Sequence, residues 1–141
     1  MIARRRFVLT AAAGAVLPVA ATATPVQVAV LIRQLVGDAK LTEGRVKLDL
    51  PVLVENGNTV GMTVSVDAPL GAVHSLHVYA EANPLPEVCQ IRFGPRAGVP
   101  RIQTRIRLAT SQTVIAIAQM RDGTFWQDSV ELLVTLAACI D

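Results

Sequence analysis

The sequence predicts an all-β fold, an immunoglobulin-like β-sandwich of about seven short strands preceded by one helix. Two observations carry this. After Gly37 the apolar residues recur at every second position, the period of a half-buried strand. Turn-forming clusters then break the chain at regular spacing: Glu55-Asn56-Gly57-Asn58, Asp67-Ala68-Pro69, Asn83-Pro84-Leu85-Pro86 and Gly94-Pro95-Arg96-Ala97-Gly98. Short alternating strands between such turns assemble most naturally as two packed sheets.

The elements follow in order. Arg4-Arg5-Arg6-Phe7-Val8-Leu9 reads as a twin-arginine export signal, and an Ala-rich apolar stretch interrupted by Pro18 follows it. Ala21-Thr22-Ala23 offers small residues for signal peptidase, with a cut before Thr24 or a few residues earlier. The stretch is shorter than the roughly 20 residues of a membrane-spanning helix, so residues 1–23 are expected to be a leader and the mature chain to be periplasmic and soluble. Pro25 to Val36 is the helix: Pro suits a first turn, Val28, Leu31, Ile32 and Leu35 share a face, and Gly37 ends it. Val46 to Leu50 alternates and stops at Pro51. Val60, Met62, Val64 and Val66 alternate with small or polar residues. Leu76, Val78 and Ala80 oppose Ser75, His77 and Tyr79. A fourth strand holds Val88-Cys89-Gln90-Ile91. Ile102, Ile106 and Leu108 oppose Arg101, Gln103, Arg105 and Arg107. Thr113 to Met120 is apolar on both faces, as a central strand would be. Asp122-Gly123 predicts a hairpin into Phe125-Trp126 and a final strand of about Ser129 to Leu136. Residues 24–136 thus form one domain, and residues 137–141 a short C-terminal arm.

Charge excludes one class of function. Three of the 13 basic residues lie in the leader, so the mature domain keeps 10 against 11 acidic residues, a net charge of −1. Nothing in that balance suggests nucleic acid, and the low aromatic content leaves no stacking platform for bases or sugars.

Few residues look like chemistry. His74 and His77 are three apart on a strand, which puts them on opposite faces, so one exposed and one packed histidine is expected rather than a metal site. A blue-copper centre needs a histidine and a soft axial ligand soon after its cysteine; only Ile140 and Asp141 follow Cys139. Cys-x-x-Cys, His-Glu-x-x-His and Gly-x-Ser-x-Gly do not occur. No metal, cofactor or catalytic residue is expected. The stripe Arg101, Arg105, Arg107, with Arg92 and Arg96 nearby, reads either as a solvated sheet face or as a docking face for an acidic partner or anionic substrate.

Cys139, in Ala137-Ala138-Cys139-Ile140-Asp141, is the exception. It lies just past an apolar run, where its own domain cannot enclose it on all sides. A free thiol has a pKa near 8.5, and here the Asp141 carboxylate and the terminal carboxylate both disfavour the thiolate. No cation or helix N-terminus in the tail offsets them. Such a thiol does not suit a self-sufficient enzyme; it suits a handle that other enzymes load and unload. The competing reading is a Cys89–Cys139 disulfide, as two cysteines in an oxidising compartment often form, leaving a non-catalytic adaptor. Cys89 by itself reads as a small core residue.

Taken together, Glu55-Asn56-Gly57-Asn58-Thr59-Val60 within Leu50–Val66, His77-Val78-Tyr79-Ala80-Glu81-Ala82-Asn83-Pro84-Leu85-Pro86, Gly94-Pro95-Arg96-Ala97-Gly98, Thr104-Arg105-Ile106-Arg107-Leu108-Ala109 and the ending from Asp122-Gly123 to Cys139 resemble SoxY, the sulfur carrier of the bacterial Sox thiosulfate-oxidising system. The resemblance implies an immunoglobulin-like sandwich paired with a SoxZ-like subunit. It also implies an arm cysteine, here Cys139, that carries a sulfur intermediate between Sox-type cytochrome and hydrolase enzymes. The family arm reads Gly-Gly-Cys-Gly-Gly. Ala137, Ala138, Ile140 and Asp141 replace those glycines, as in the related branch whose arm reads Ala-Ala-Cys-Ile-Glu. Such an arm is stiffer and bulkier than a glycine arm.

Overall fold

The structure, a computed structural model, describes residues 23–136. Residues 1–22 of the expected leader and residues 137–141, with Cys139, lie outside the described residues.

Helix α1 spans Pro25–Val36, as the spacing predicts. Thr24 closes a capping box: its hydroxyl accepts from the Gln27 N–H, and the Gln27 side chain accepts from the Thr24 N–H at 3.1 Å. Gly37 caps the other end at a φ of 63°, with its N–H bonded to the Arg33 carbonyl.

Nine strands follow: β1 Leu41–Glu43, β2 Val46–Asp49, β3 Leu53–Val54, β4 Val60–Val66, β5 Val73–Ala80, β6 Glu87–Arg92, β7 Arg101–Ile106, β8 Gln112–Met120 and β9 Phe125–Val134. All seven expected strands are present. The two extra ones, β1 and β3, are three and two residues long. Both pair parallel to β9, one at each of its ends. Runs that short have no periodicity to read, and a partner far away in sequence creates them.

The larger sheet has the order β1-β9-β8-β5-β6, with β3 also on β9; the smaller is β2-β4-β7. Strand β8 is central, which is why Thr113 to Met120 is apolar on both faces. Its turn into β9 is the expected one: Gly123 takes a φ of 86°, and the Asp122 carboxylate accepts from the Thr124 N–H at 2.9 Å. Inward residues of the two sheets, among them Met62, Val64, Leu76, Val78, Val114 and Leu132, form one core.

The outer face of the large sheet is a second buried layer. Helix α1 covers it, packing Val28 with Leu31, Ile32 and Leu35 against Tyr79, Ile117 and Phe125. The alternation in β5 suggests a polar face for Ser75, His77 and Tyr79. Ser75 and His77 are instead only 1 % and 5 % exposed. They tolerate this because they bond each other: the Ser75 hydroxyl donates to the Gln119 amide oxygen at 3.2 Å and accepts from His77 Nε2 at 3.0 Å.

The sandwich is stitched along one side and open along the other. On the β9 side, the Asp128 carboxylate accepts from the Leu48 N–H on the free edge of β2 at 2.8 Å. On the other side β6 and β7 are the outer strands of their sheets, and Thr104 is exposed although it pairs with Met62, which is fully buried. No helix among the described residues is long and apolar enough to cross a membrane.

Candidate functional site

Cys139, Ala137, Ala138, Ile140 and Asp141 lie outside the described residues, so the geometry that bears on them is that of the place where the arm leaves. Strand β9 ends at Val134, whose N–H donates to the Ser111 hydroxyl at 2.8 Å. The Thr135 N–H donates to the Val54 carbonyl at 2.9 Å, and the Leu136 carbonyl accepts from the Gly57 N–H at 2.9 Å. Gly57 in turn accepts from the Leu108 N–H at 2.8 Å. Three chain segments therefore run side by side at this end, and the arm starts from a backbone held on both sides. Strand β3 exists only through this pairing, so a two-residue strand fixes the base of the arm.

A buried polar cluster stands beside it. Asn83, 8 % exposed, donates to the Arg107 carbonyl at 2.9 Å. Its side-chain oxygen accepts from the Ala109 N–H at 2.9 Å and from the Gln112 amide at 3.0 Å. Its own carbonyl accepts from the Ala23 N–H, while Gln112 accepts from the Ala82 N–H. One asparagine thus joins the β5–β6 loop, the β7–β8 loop and the approach to α1. From sequence Asn83 is a turn residue before a proline; the only signal of more is its central place in the Ala82-Asn83-Pro84-Leu85-Pro86 run.

The arginine stripe is divided along its length. Arg101 and Arg105 share the outward face of β7, opposite Ser65 and Gly61 on β4. Arg107 follows the strand and lies at the arm end. Six residues at about 3.3 Å each place Arg101 roughly 20 Å away, at the other end of the sandwich. Arg92 and Arg96 lie with Arg101, since the Phe93 N–H bonds the His74 carbonyl at the start of β5.

Arg105 and Arg107 border a cleft of about 330 Å³ on the open side, together with Asn83, Glu87, Cys89 and Thr104. Cys89, on β6, pairs with Val78 of β5 and packs half-buried against the main core, close to its expected place as a small core residue. Burial pushes its thiol up from the ordinary range, so it is a poor nucleophile. His77, buried on β5, is held below the ordinary histidine range, first by desolvation and then by Arg92 and His74, with Glu87 opposing. His74 sits at a β-bulge between Val73 and Ser75 and is half-exposed. Among the described residues no group of three or more His, Cys, Asp or Glu side chains could hold a metal ion.

This arrangement has solved relatives in fold. The sulfur carrier protein SoxY from Chlorobium limicola f thiosulfatophilum is similar at a TM-score of 0.66 and 22 % identity, over 77 % of this chain and 96 % of that one. A superoxide reductase (neelaredoxin) from Ignicoccus hospitalis is similar at a TM-score of 0.56 and 20 % identity, over 64 % and 80 %. A putative superoxide reductase from Thermotoga maritima is similar at 0.55 and 18 %, over 68 % and 93 %. At these identities the likeness is one of fold, and it defines the class: an immunoglobulin-like sandwich shared by carrier and reductase proteins. No curated protein sequence matches. The family model described as "Sulfur oxidation protein SoxY" matches residues 32–139. The chain belongs to the SoxY family.

Proposed function

We propose that this protein is a covalent sulfur carrier, with Cys139 as the attachment site and residues 137–141 as the arm that presents the cargo. One observation carries the reading: the family match does not stop with the sandwich but runs through residue 139, the cysteine itself. The arm base supports it. A backbone bonded to Gly57 on one side and to Ser111 on the other holds residues 134–136, from which the arm continues. The described residues offer no other nucleophile suited to loading, since Cys89 is half-buried with its thiol raised.

The carrier performs no chemistry of its own and needs no cofactor. It works with a SoxZ-like subunit, and with Sox-type cytochrome and hydrolase enzymes that load and unload a thiosulfate-type intermediate. It is exported to the periplasm by the twin-arginine route, which accepts folded cargo and lets the partner subunit travel with it. Ala23 is 7 % exposed and its N–H is bonded to Asn83. A cut before Thr24 would remove both contacts, which favours a cut a few residues upstream.

Intact-mass measurement of protein purified natively from periplasm tests the reading. The expected result is a sulfur-containing adduct on the C-terminal peptide, absent in Cys139→Ser. A Cys89–Cys139 disulfide in every molecule would sink the carrier reading and leave a non-catalytic adaptor.

A further inference from the structure

Helix α1 does not spend all its apolar residues on the sheet. Val28, Leu31, Ile32 and Leu35 pack inward, but Val26 and Val30 face solvent at 72 % and 52 % exposure. The β5–β6 loop runs beside them. Together they form a groove of about 450 Å³, lined by Val26, Gln27, Val30, Leu31, Pro84 and Pro86. No charged residue lines it. The neighbouring clefts, by contrast, carry Glu81 and Glu131, Glu55, or Glu87 with two arginines. The two prolines have no N–H to donate, and the Gln27 amide oxygen is engaged by the Thr24 N–H. The groove therefore selects an uncharged occupant through its apolar side chains, with no backbone pairing.

The chain itself supplies such a segment. Residues 10–22 hold no charged side chain, and Val16, Leu17 and Val19 are their largest apolar groups. This run joins the domain at Ala23, whose N–H is bonded to the Asn83 carbonyl at 3.2 Å. Asn83 immediately precedes Pro84, so the chain enters along the loop wall of the groove. Val26 is the second residue of the helix wall. Val19 lies four residues before Ala23, a reach of up to about 14 Å, while Val26 to Val30 spans only about 6 Å along the helix. The groove is also small for a partner protein. Six lining residues fall well short of the roughly 20–30 on each side of a stable interface, and suit a single segment.

We propose that in the unprocessed chain the apolar run of the leader, residues 10–22, lies in the groove between α1 and the Pro84–Pro86 loop, with Val16, Leu17 and Val19 against Val26 and Val30. This rests on the export reading, under which the chain folds with its leader attached. The docked run keeps its apolar surface from water, while Arg4, Arg5 and Arg6 stay outside the groove for the export machinery. Removal of the leader empties the groove. The exported protein then displays an apolar face that its precursor lacks.

The test compares the full chain, purified from the cytoplasm of cells without the twin-arginine translocase, with a chain lacking residues 2–20. Methyl NMR spectra should differ at Val26, Val30 and Leu31. The differences should be unchanged on dilution and vanish in Leu17→Ser/Val19→Ser, which leaves the domain itself unaltered. Elastase, which cuts after small apolar residues, should cleave within residues 10–22 about fourfold faster in Val26→Ser/Val30→Ser, the scale of one methyl group's burial. Identical groove methyl signals in the full and shortened chains would overturn the proposal. So would differences that grow with protein concentration, which would give the groove to a second copy. Cell fractionation with N-terminal sequencing tests export without reference to docking, so the export reading and this one can fail separately.

Discussion

Asn83 shows what one side chain can hold. It satisfies the Arg107 carbonyl, the Ala109 N–H and the Gln112 amide at once, and Gln112 is itself buried. Asn83→Ala should therefore cost about 2–3 kcal/mol, the penalty for stranding buried polar groups, read as a lower denaturant midpoint at unchanged slope. His77 makes a prediction about pH. Burial holds its native pKa below the ordinary value near 6.5. The unfolded chain binds a proton there that the folded chain refuses, so stability is full above that pH and falls as the pH drops towards the lower native value. Urea melts between about pH 7.5 and pH 5.5 should show this loss, and His77→Gln should flatten it. A slope unchanged in the variant would assign the titration to another group.

At the scale of elements, the edges decide most. Strand β2 has a free edge, and the Asp128 carboxylate covers it by accepting from Leu48; the same carboxylate caps the Ser129 N–H at 2.9 Å. Asp128→Ala removes a charged acceptor from a half-buried amide and should cost about 1.5–3 kcal/mol. Hydrogen exchange at Leu48 should rise more than exchange at Val64 in the middle of the same sheet. Equal rises would mean that the stitch is not local. The open side has no such stitch. There β6 and β7 leave a cleft whose lining mixes apolar residues with Thr104, Glu87 and two arginines.

The whole molecule has two cores on a shared sheet. The larger lies between the sheets and the smaller under α1. Leu76 is fully buried in the first and Val28 nearly so in the second. Leu76→Ala should cost about 2–5 kcal/mol and lower the midpoint of a single transition, because strands of both sheets pack on that layer. Val28→Ala should weaken the helix contact, with exchange rising along α1 before the sheets unfold. If α1 and the sheets lose protection together in Val28→Ala, the helix is part of the cooperative unit. Both ends of the sandwich carry charges of both signs. Arg92, Arg96 and Arg101 lie at the end away from the arm root, with Asp67 and Asp122 also there, while Glu55, Glu81, Glu87 and Glu131 lie nearer the root together with Arg105 and Arg107.

What the sequence by itself determined is local. The helix from Pro25 to Val36 was legible in its spacing and its terminal glycine, and seven strands in their period of two. The Asp122-Gly123 hairpin was legible because Gly accepts the positive φ the turn needs. Cys139 stood out because nothing near it gives a thiol another use. Other features required the tertiary structure, because each is made by partners distant in sequence. Strands β1 and β3 exist through β9. On the polar-looking face of β5, α1 covers Tyr79, and the buried Ser75 and His77 are satisfied by each other and by Gln119. Asn83 becomes a hub only when three segments meet around it. The arginine stripe reads as one cluster along the chain, yet an extended strand carries Arg101 roughly 20 Å from Arg107. Sequence spacing sets which residues share a face; packing alone sets which of them stand beside the root of the arm.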